Sequence, residues 1–264
     1  MIAILPYICV FAFGAAAGSF IDVCVYRIPR NISIIRPRSY CPACGKTLTA
    51  RELIPLVSYI ILRGKCASCD APIHLRHTLS ELICGFIWIA LLWKFSFSFQ
   101  FVCYAALCSI FIAIFFIDLY WMRIPNILVV CAIAPAFALC VRYVFFLSPP
   151  ERFRSAYNSI NGAEPLLGMI PCALFLIIYI VSALTRGGEG AVGMGDIKLL
   201  IPMGAALGLR QNLLAVFIAI MLGGLTGVAL IISGKKSRKD PIPFGPFLVA
   251  GAVAAIIIPV SYII

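Results

Sequence analysis

The chain has 264 residues, of which 63% are hydrophobic and only 12% are charged. A soluble domain carries about twice that charged fraction, so this chain cannot cover a globular core with polar surface and needs lipid as its solvent. The net charge is +11. In a soluble protein this charge would suggest nucleic acid, but in a membrane protein basic loops mark the cytoplasmic side. We therefore expect no nucleic acid among the partners.

A helix needs roughly 20 apolar residues to cross a bilayer. By this measure the apolar runs of the chain give about eight candidate transmembrane helices. No basic residue precedes the first run, which favours a retained span with its N-terminus outside over a signal peptide. The run at 197–209 is short and rich in glycine, so we expect it to be tilted, broken or only partly spanning. The runs cover 2–25, 80–95, 99–117, 125–147, 165–184, 197–209, 212–233 and 243–263.

The distribution of basic residues predicts the topology. With the N-terminus outside, sixteen of the 21 Lys and Arg residues fall on the inner side, and nine of these lie in 26–79. An excess of Lys and Arg marks the cytoplasmic loops of membrane proteins. We therefore expect a first span at 1–25, a cytoplasmic loop domain at 26–79 and a transmembrane core at 80–264.

Two Cys-x-x-Cys pairs in the cytoplasmic loop predict a metal site. Each pair makes a tight turn, and two such turns offer four thiolates to one tetrahedral zinc ion, as in a zinc ribbon. The alternatives, disulfides or a redox pair, are disfavoured in a reducing compartment. Four protein ligands leave no open position for water, so we expect zinc to stabilise the loop and not to catalyse. The predicted ligands are Cys41, Cys44, Cys66 and Cys69.

Two acidic residues lie at the inner ends of predicted spans and are candidates for catalysis. Asp118 ends one span and Asp196 begins another, at a similar depth on the same side. Ionisable groups in such positions are costly and indicate function, although a helix cap or a loop residue is the alternative. Two neighbouring carboxyl groups can share one proton and so supply a general acid and a general base that activate water against a peptide bond.

The residues around Asp196 extend this candidate site. Gly193 and Gly195 allow a close approach of the backbone, either for a substrate or for the turn into the span. Lys198 is either an ion-pair partner of Asp196 or an anchor at the inner membrane face.

The order and spacing of five sequence elements make the chain resemble the type IV prepilin peptidases. The most specific is Gly193-x-Gly195-Asp196-x-Lys198, which matches the GxGDxK signature of that family. Two positions depart from the family pattern: Asp22 stands where Asn is usual, and Asn126 where many members have Asp. We expect Asp22 to be a polar residue at a span end and not a third catalytic acid. The other elements are 18–29, the two cysteine pairs, the stretches at 62–66 and 79–82, and 243–247.

The resemblance implies a membrane aspartyl endopeptidase with Asp118 and Asp196 as its catalytic pair. Members of this family remove a short basic leader from type IV prepilins and type II secretion pseudopilins, at the cytoplasmic face of the bacterial inner membrane. Many members then methylate the new N-terminus with S-adenosylmethionine. The implied partners are these substrates and membrane lipid, and the implied cofactors are structural zinc and, where methylation occurs, the methyl donor.

Two other functions are alternatives to the peptidase. An ion-coupled transporter could use the two aspartates as a relay, but both lie near one face and no acid lies in the middle of a span. A zinc-ribbon scaffold anchored in the membrane would leave the segment before Asp196 unexplained. The expected architecture is an all-α membrane protein of about eight transmembrane helices with a small zinc-ribbon-like cytoplasmic loop domain.

Overall fold

A computed structural model describes residues 4–146, 164–186, 193–237 and 240–258. These residues form helices joined by turns, with two isolated β-bridges in the loop that carries the cysteine pairs. The chain divides into two compact units, 1–113 and 114–264, and the division falls within one helix. The α-helices are α1 (Leu5–Arg27), α2 (Val57–Ile61), α3 (Leu75–Phe95), α4 (Phe99–Trp121), α5 (Asn126–Phe146), α6 (Glu164–Leu167), α7 (Ile170–Arg186), α8 (Met194–Ile232) and α9 (Gly245–Ile257).

The predicted all-helical membrane architecture is confirmed. Within the described ranges, five helical stretches are long and apolar enough to cross a bilayer, and Asn126–Arg142 and Gly245–Ile257 are shorter apolar helices. The predicted count of eight requires both shorter helices and both parts of α8 to cross as well. The end of the predicted span at 243–263 lies outside the described residues. The five long stretches are Leu5–Arg30, Leu75–Phe95, Phe99–Trp121, Pro165–Thr185 and Met194–Ile232.

Helix α8 is interrupted close to the end of the short glycine-rich run. Gly208 has φ 70° and ψ 179°, a conformation that glycine adopts without the steric cost of a Cβ atom. The helix therefore consists of two segments, and the first of them carries Asp196 in its opening turn.

In the first unit, α1 and α3 pack with their backbones in contact. A Cβ atom added to Gly18 would lie 2.6 Å from the Cα atom of Glu81 and 2.7 Å from the carbonyl oxygen of Ser80. Small residues of this kind let membrane helices approach closely. One turn further along α1, the buried Asp22 accepts a hydrogen bond of 2.5 Å from the Ser80 hydroxyl. Asp22 thereby joins α1 to α3.

In the second unit, α8 is the central helix and packs against α5, α6, α7 and α9. Asn212 of α8 is fully buried, and its side-chain amide donates a 2.7 Å hydrogen bond to the carbonyl of Gly168, in the turn between α6 and α7. Gly251 of α9 leaves no space for a Cβ atom against the backbone of Ala215 in α8. These contacts hold the second segment of α8, and the close approach of Gly204 to the backbone of Gly168 holds the first segment, which carries Asp196.

The close approach at Gly18 generates a stability prediction. Gly18→Ala should lower the melting temperature of the purified protein in detergent, because the new methyl group forces the α1 and α3 backbones apart, at a cost of about 1–3 kcal/mol. The matched control is Gly224→Ala in α8, where an added Cβ meets nothing within 4 Å. That control should leave the melting temperature unchanged or raise it, since alanine favours a helix. Equal melting temperatures for Gly18→Ala and the unmodified protein would contradict the close packing.

Candidate functional site

A cavity of about 770 Å³ in the second unit brings together the candidate residues from the membrane core. Its walls come from the end of α4, the start of α5, the middle of α7, the start of α8 and the segment that precedes α9. Asp118 and Asp196, which are 78 positions apart in the sequence, both line it. The other candidates that line it are Gly193, Gly195 and Lys198.

Asp118 lies in the last turn of α4, and its side chain is buried. Its Oδ2 atom accepts a hydrogen bond of 3.1 Å from the backbone N–H of Gly245, the first residue of α9. The first N–H groups of a helix have no acceptor within that helix, so they are available to a carboxylate. The start of α9 therefore holds the Asp118 side chain in one orientation.

Asp196 lies in the first turn of α8 and is half-buried. Its backbone N–H donates to the carbonyl of Gly193 at 3.1 Å and closes that turn. A Cβ atom added to Gly193 would lie 3.0 Å from the Asp196 Oδ2 atom, so glycine at this position leaves room for the carboxylate. Asp118 and Asp196 line the same cavity.

Lys198 joins the starts of two helices. Its Nζ atom donates a 3.1 Å hydrogen bond to the Oδ1 atom of Asn126, the first residue of α5. The sequence left open whether Lys198 pairs with Asp196. Among the described residues, Lys198 bonds to Asn126 instead. Lys198 thereby ties the start of α8 to the start of α5 beside the cavity.

The four predicted metal ligands form one cluster in the first unit. Their sulfur atoms all lie within 4.8 Å of one another, and the Cys41 and Cys69 sulfurs are 3.8 Å apart. Four thiolates around a tetrahedral zinc ion, at a Zn–S distance of about 2.3 Å, have sulfurs separated by about 3.8 Å. Each pair is held in a turn, closed by hydrogen bonds from Gly45 to Cys41 and from Asp70 to Cys66. The residues and their spacing therefore fit one metal ion.

Two family models match this chain. The Bacterial Peptidase A24 N-terminal domain matches residues 12–95, which include the cysteine cluster, and the Type IV leader peptidase family matches residues 105–228, which include both aspartates. A prepilin leader peptidase/N-methyltransferase of Bacillus subtilis (strain 168) is 34% identical over 245 residues, covering 93% of this chain and 91% of the relative. The chain belongs to the type IV leader peptidase family.

Other similar proteins carry the same name. A prepilin leader peptidase/N-methyltransferase of Burkholderia pseudomallei (strain K96243) is 32% identical, with 92% of this chain and 82% of the relative covered. One from Stutzerimonas stutzeri is 30% identical, with 94% and 89% covered. No solved structure gives a significant match. The family resemblance read from the sequence is therefore confirmed.

Several cavity residues of this leader peptidase family member received no role from the sequence. Phe175 of α7 and Phe244 stack with ring centroids 6.4 Å apart and planes 22° from parallel, on the cavity wall. Phe244 belongs to the 243–247 element, which could have indicated it. Phe175 lies in an apolar run, where nothing in the sequence separates a cavity phenylalanine from one that faces lipid. Arg123 also lines the cavity.

The cluster thiols differ in how readily they ionise. Hydrogen bonds from the backbone N–H groups of Cys44 and Ala43 lower the pKa of Cys41 to about 7. The backbone N–H of Ala71 acts in the same direction on Cys69, but burial and the neighbouring cysteines outweigh it and raise the pKa of Cys69 to about 12. Because a metal binds thiolates, loading this cluster must displace protons.

The chain after the first cysteine pair is held by Glu52. Its carboxylate accepts hydrogen bonds from the Thr49 backbone N–H at 2.7 Å and from the Lys46 ammonium at 2.9 Å. The Thr49 N–H, followed by Lys46, lowers the pKa of Glu52 to about 2. Glu52 is therefore a carboxylate at neutral pH and fixes this stretch of the loop.

The cluster geometry predicts metal binding. The purified protein should carry about one divalent metal ion per chain, because one tetrahedral site uses all four sulfurs. Metal analysis measures the content, and thiol titration with and without a chelator measures protection of the cysteines. The matched control is Cys131→Ser, which replaces an exposed cysteine outside the cluster and should retain the metal. A metal content near zero with four freely titratable cluster thiols would contradict the site.

Proposed function

We propose that this chain is a membrane aspartyl endopeptidase that removes the short basic leader from type IV prepilins and type II secretion pseudopilins. The observation that carries the proposal is that Asp118 and Asp196 line one cavity, in a chain of the type IV leader peptidase family. The proposed substrates follow the names of the similar proteins, which are prepilin leader peptidases. The transporter alternative gains no support from these findings.

The proposed chemistry needs only water and two carboxyl groups. One carboxylate takes a proton from the water, whose oxygen attacks the scissile carbonyl, while the other carboxyl group donates a proton to the carbonyl oxygen. The C–N bond of the resulting tetrahedral intermediate breaks as the leaving amine receives a proton from the first carboxyl group. As this bond breaks, one hydroxyl of the intermediate returns its proton to the second carboxylate, so the products are a carboxylic acid and an amine and the pair is regenerated.

The rest of the cavity suits a substrate with a polar leader and an apolar helix. The cavity carries charges of both signs, with Arg123 and Lys198 beside the two aspartates, and these groups offer polar contacts to the leader. The Phe175–Phe244 stack offers an apolar wall. The apolar helix of the substrate remains in the bilayer, which confines the encounter to two dimensions and raises the effective concentration. Gly193 and Gly195 give an extended leader segment access to the backbone beside Asp196.

The membrane arrangement is part of the proposal. All eight apolar segments cross the bacterial inner membrane, counting both parts of α8, and the N-terminus lies outside. In this orientation the cavity opens at the cytoplasmic face, where the excess of basic residues also places the cysteine loop. The leader of a prepilin substrate would lie at this cytoplasmic face.

The cysteine cluster is proposed to hold zinc in a structural role. Four sulfur ligands in tetrahedral spacing favour zinc, and its binding energy folds the polar loop around it. The chain is also proposed to methylate the new N-terminus with S-adenosylmethionine, because the similar proteins are named N-methyltransferases as well as peptidases. No residue is assigned to the methyl donor.

The proposal predicts the effect of removing either acid. Asp118→Asn and Asp196→Asn should each reduce leader cleavage by a factor on the order of 10²–10⁴ or more, because an amide can neither accept nor donate the required proton. Mass spectrometry of a co-expressed prepilin reports the cleavage position and the methylation of the new N-terminus together. Asp70→Asn, at an exposed loop position, is the matched control and should cleave normally. Normal processing by either cavity variant would exclude that residue from catalysis.

A further inference from the structure

The 243–247 element lines the cavity with Pro243 and Phe244, and its glycine contacts Asp118. It ends in the start of α9, beyond the residues that the family model matches. The N–H of Gly245 donates to the Asp118 Oδ2 atom at 3.1 Å across 127 positions of sequence. Every residue except proline would keep this donor, so what distinguishes glycine at position 245 is the space that it leaves for the carboxylate.

That space is limited on two sides. A Cβ atom added to Gly245 would lie 2.6 Å from the Asp118 Oδ2 atom and 3.2 Å from the Cδ1 atom of Ile124. The first distance is shorter than real Cβ contacts, so a methyl group would have to move the carboxylate or the neighbouring side chain. Glycine is therefore required here because the Asp118 carboxylate approaches the backbone, and not because of a left-handed backbone conformation.

Ile124 also touches the residue before Asp196. A Cβ atom added to Gly195 would lie 3.1 Å from the Cβ atom of Ile124, a tight contact. The Ile124 side chain is thus wedged between Gly195, at the start of α8, and Gly245, at the start of α9. Each of these helix starts is linked to one of the two acids.

We infer that Gly245 and Ile124 are positioning residues for the aspartate pair. Gly245 orients the Asp118 carboxylate through its N–H and its lack of a side chain, and Ile124 spaces the helix start that carries Asp196 from the one that holds Asp118. The inference rests on the proposed catalytic roles of Asp118 and Asp196, and adds how their geometry is set. Displacement of a reacting group by about 1 Å can cost a factor of about 10² in rate.

The first test compares glycine variants of the full chain, purified in detergent with its metal, on a prepilin substrate. Gly245→Ala should lower kcat by a factor of about 10–10² and leave KM within about twofold, because the chemistry is misaligned while the binding surface remains. Gly224→Ala, where an added Cβ meets open space, should match the unmodified protein. Metal content and melting temperature show that the variants are folded.

The second test uses Ile124 to relieve the crowding. Ile124→Val removes the Cδ1 atom that lies against position 245, so the double variant Gly245→Ala, Ile124→Val should recover at least about threefold of the lost kcat. Non-additivity of this kind is expected of residues in contact. Two independent structural defects would instead multiply their losses.

The outcomes separate this inference from the proposed function. If the unmodified protein does not cleave prepilin, the proposed function fails. If it cleaves and Gly245→Ala retains full kcat, or the double variant shows the product of the two single losses or worse, the positioning roles are wrong. If Gly245→Ala shows no melting transition and is therefore unfolded, the variants Ile124→Val and Ile124→Ala test the positioning role instead. We expect kcat to fall as the side chain shortens, and an unchanged kcat in Ile124→Ala would overturn the inference.

Discussion

A buried carboxyl group must find its hydrogen-bond partners within the protein, because burial removes it from bulk water. Asp118 finds a backbone N–H at the start of α9, and Asp22 finds the Ser80 hydroxyl on α3. In both cases an acid on one helix is bound by a group on another, so the polar contact also dictates which helices pack together. Glycines at the same places, Gly245 and Gly18, bring the backbones near enough for these bonds to form.

The membrane helices and the loop with the cysteine pairs are stabilised by different interactions. In the membrane core, α8 is surrounded by four other helices, and shape complementarity at small residues replaces the hydrophobic effect that is absent between helices in lipid. In the loop at 28–74 only Cys41 and Cys66 are buried, so this loop depends on the sulfur cluster and on the Glu52 carboxylate between Lys46 and Thr49. Removal of metal is therefore expected to affect the loop before the membrane core.

Sequence reasoning succeeded where chemistry is local or lipid imposes a pattern. The apolar runs form helices because the bilayer leaves the backbone no other way to satisfy its hydrogen bonds. The spacing of the two cysteine pairs correctly predicted one cluster. The sequence could not predict that Asp118 binds Gly245 or that Ile124 lies between two glycines, because those contacts depend on how distant segments pack. The number of crossings also remained open, since α9 is short and α8 is interrupted.

The interruption of α8 has a consequence for the turn between α6 and α7. Gly208 lies twelve residues beyond Asp196, or about 18 Å along a helix, so an Asp196 at the membrane face puts Gly208 within the hydrocarbon core of about 30 Å. A Cβ atom added to Gly168 would clash with the backbone of Gly204 and lie 3.0 Å from the carbonyl carbon of Gly208. Around this interruption the α6–α7 turn packs against both segments of α8, and Asn212 donates a hydrogen bond to the Gly168 carbonyl where no water is available.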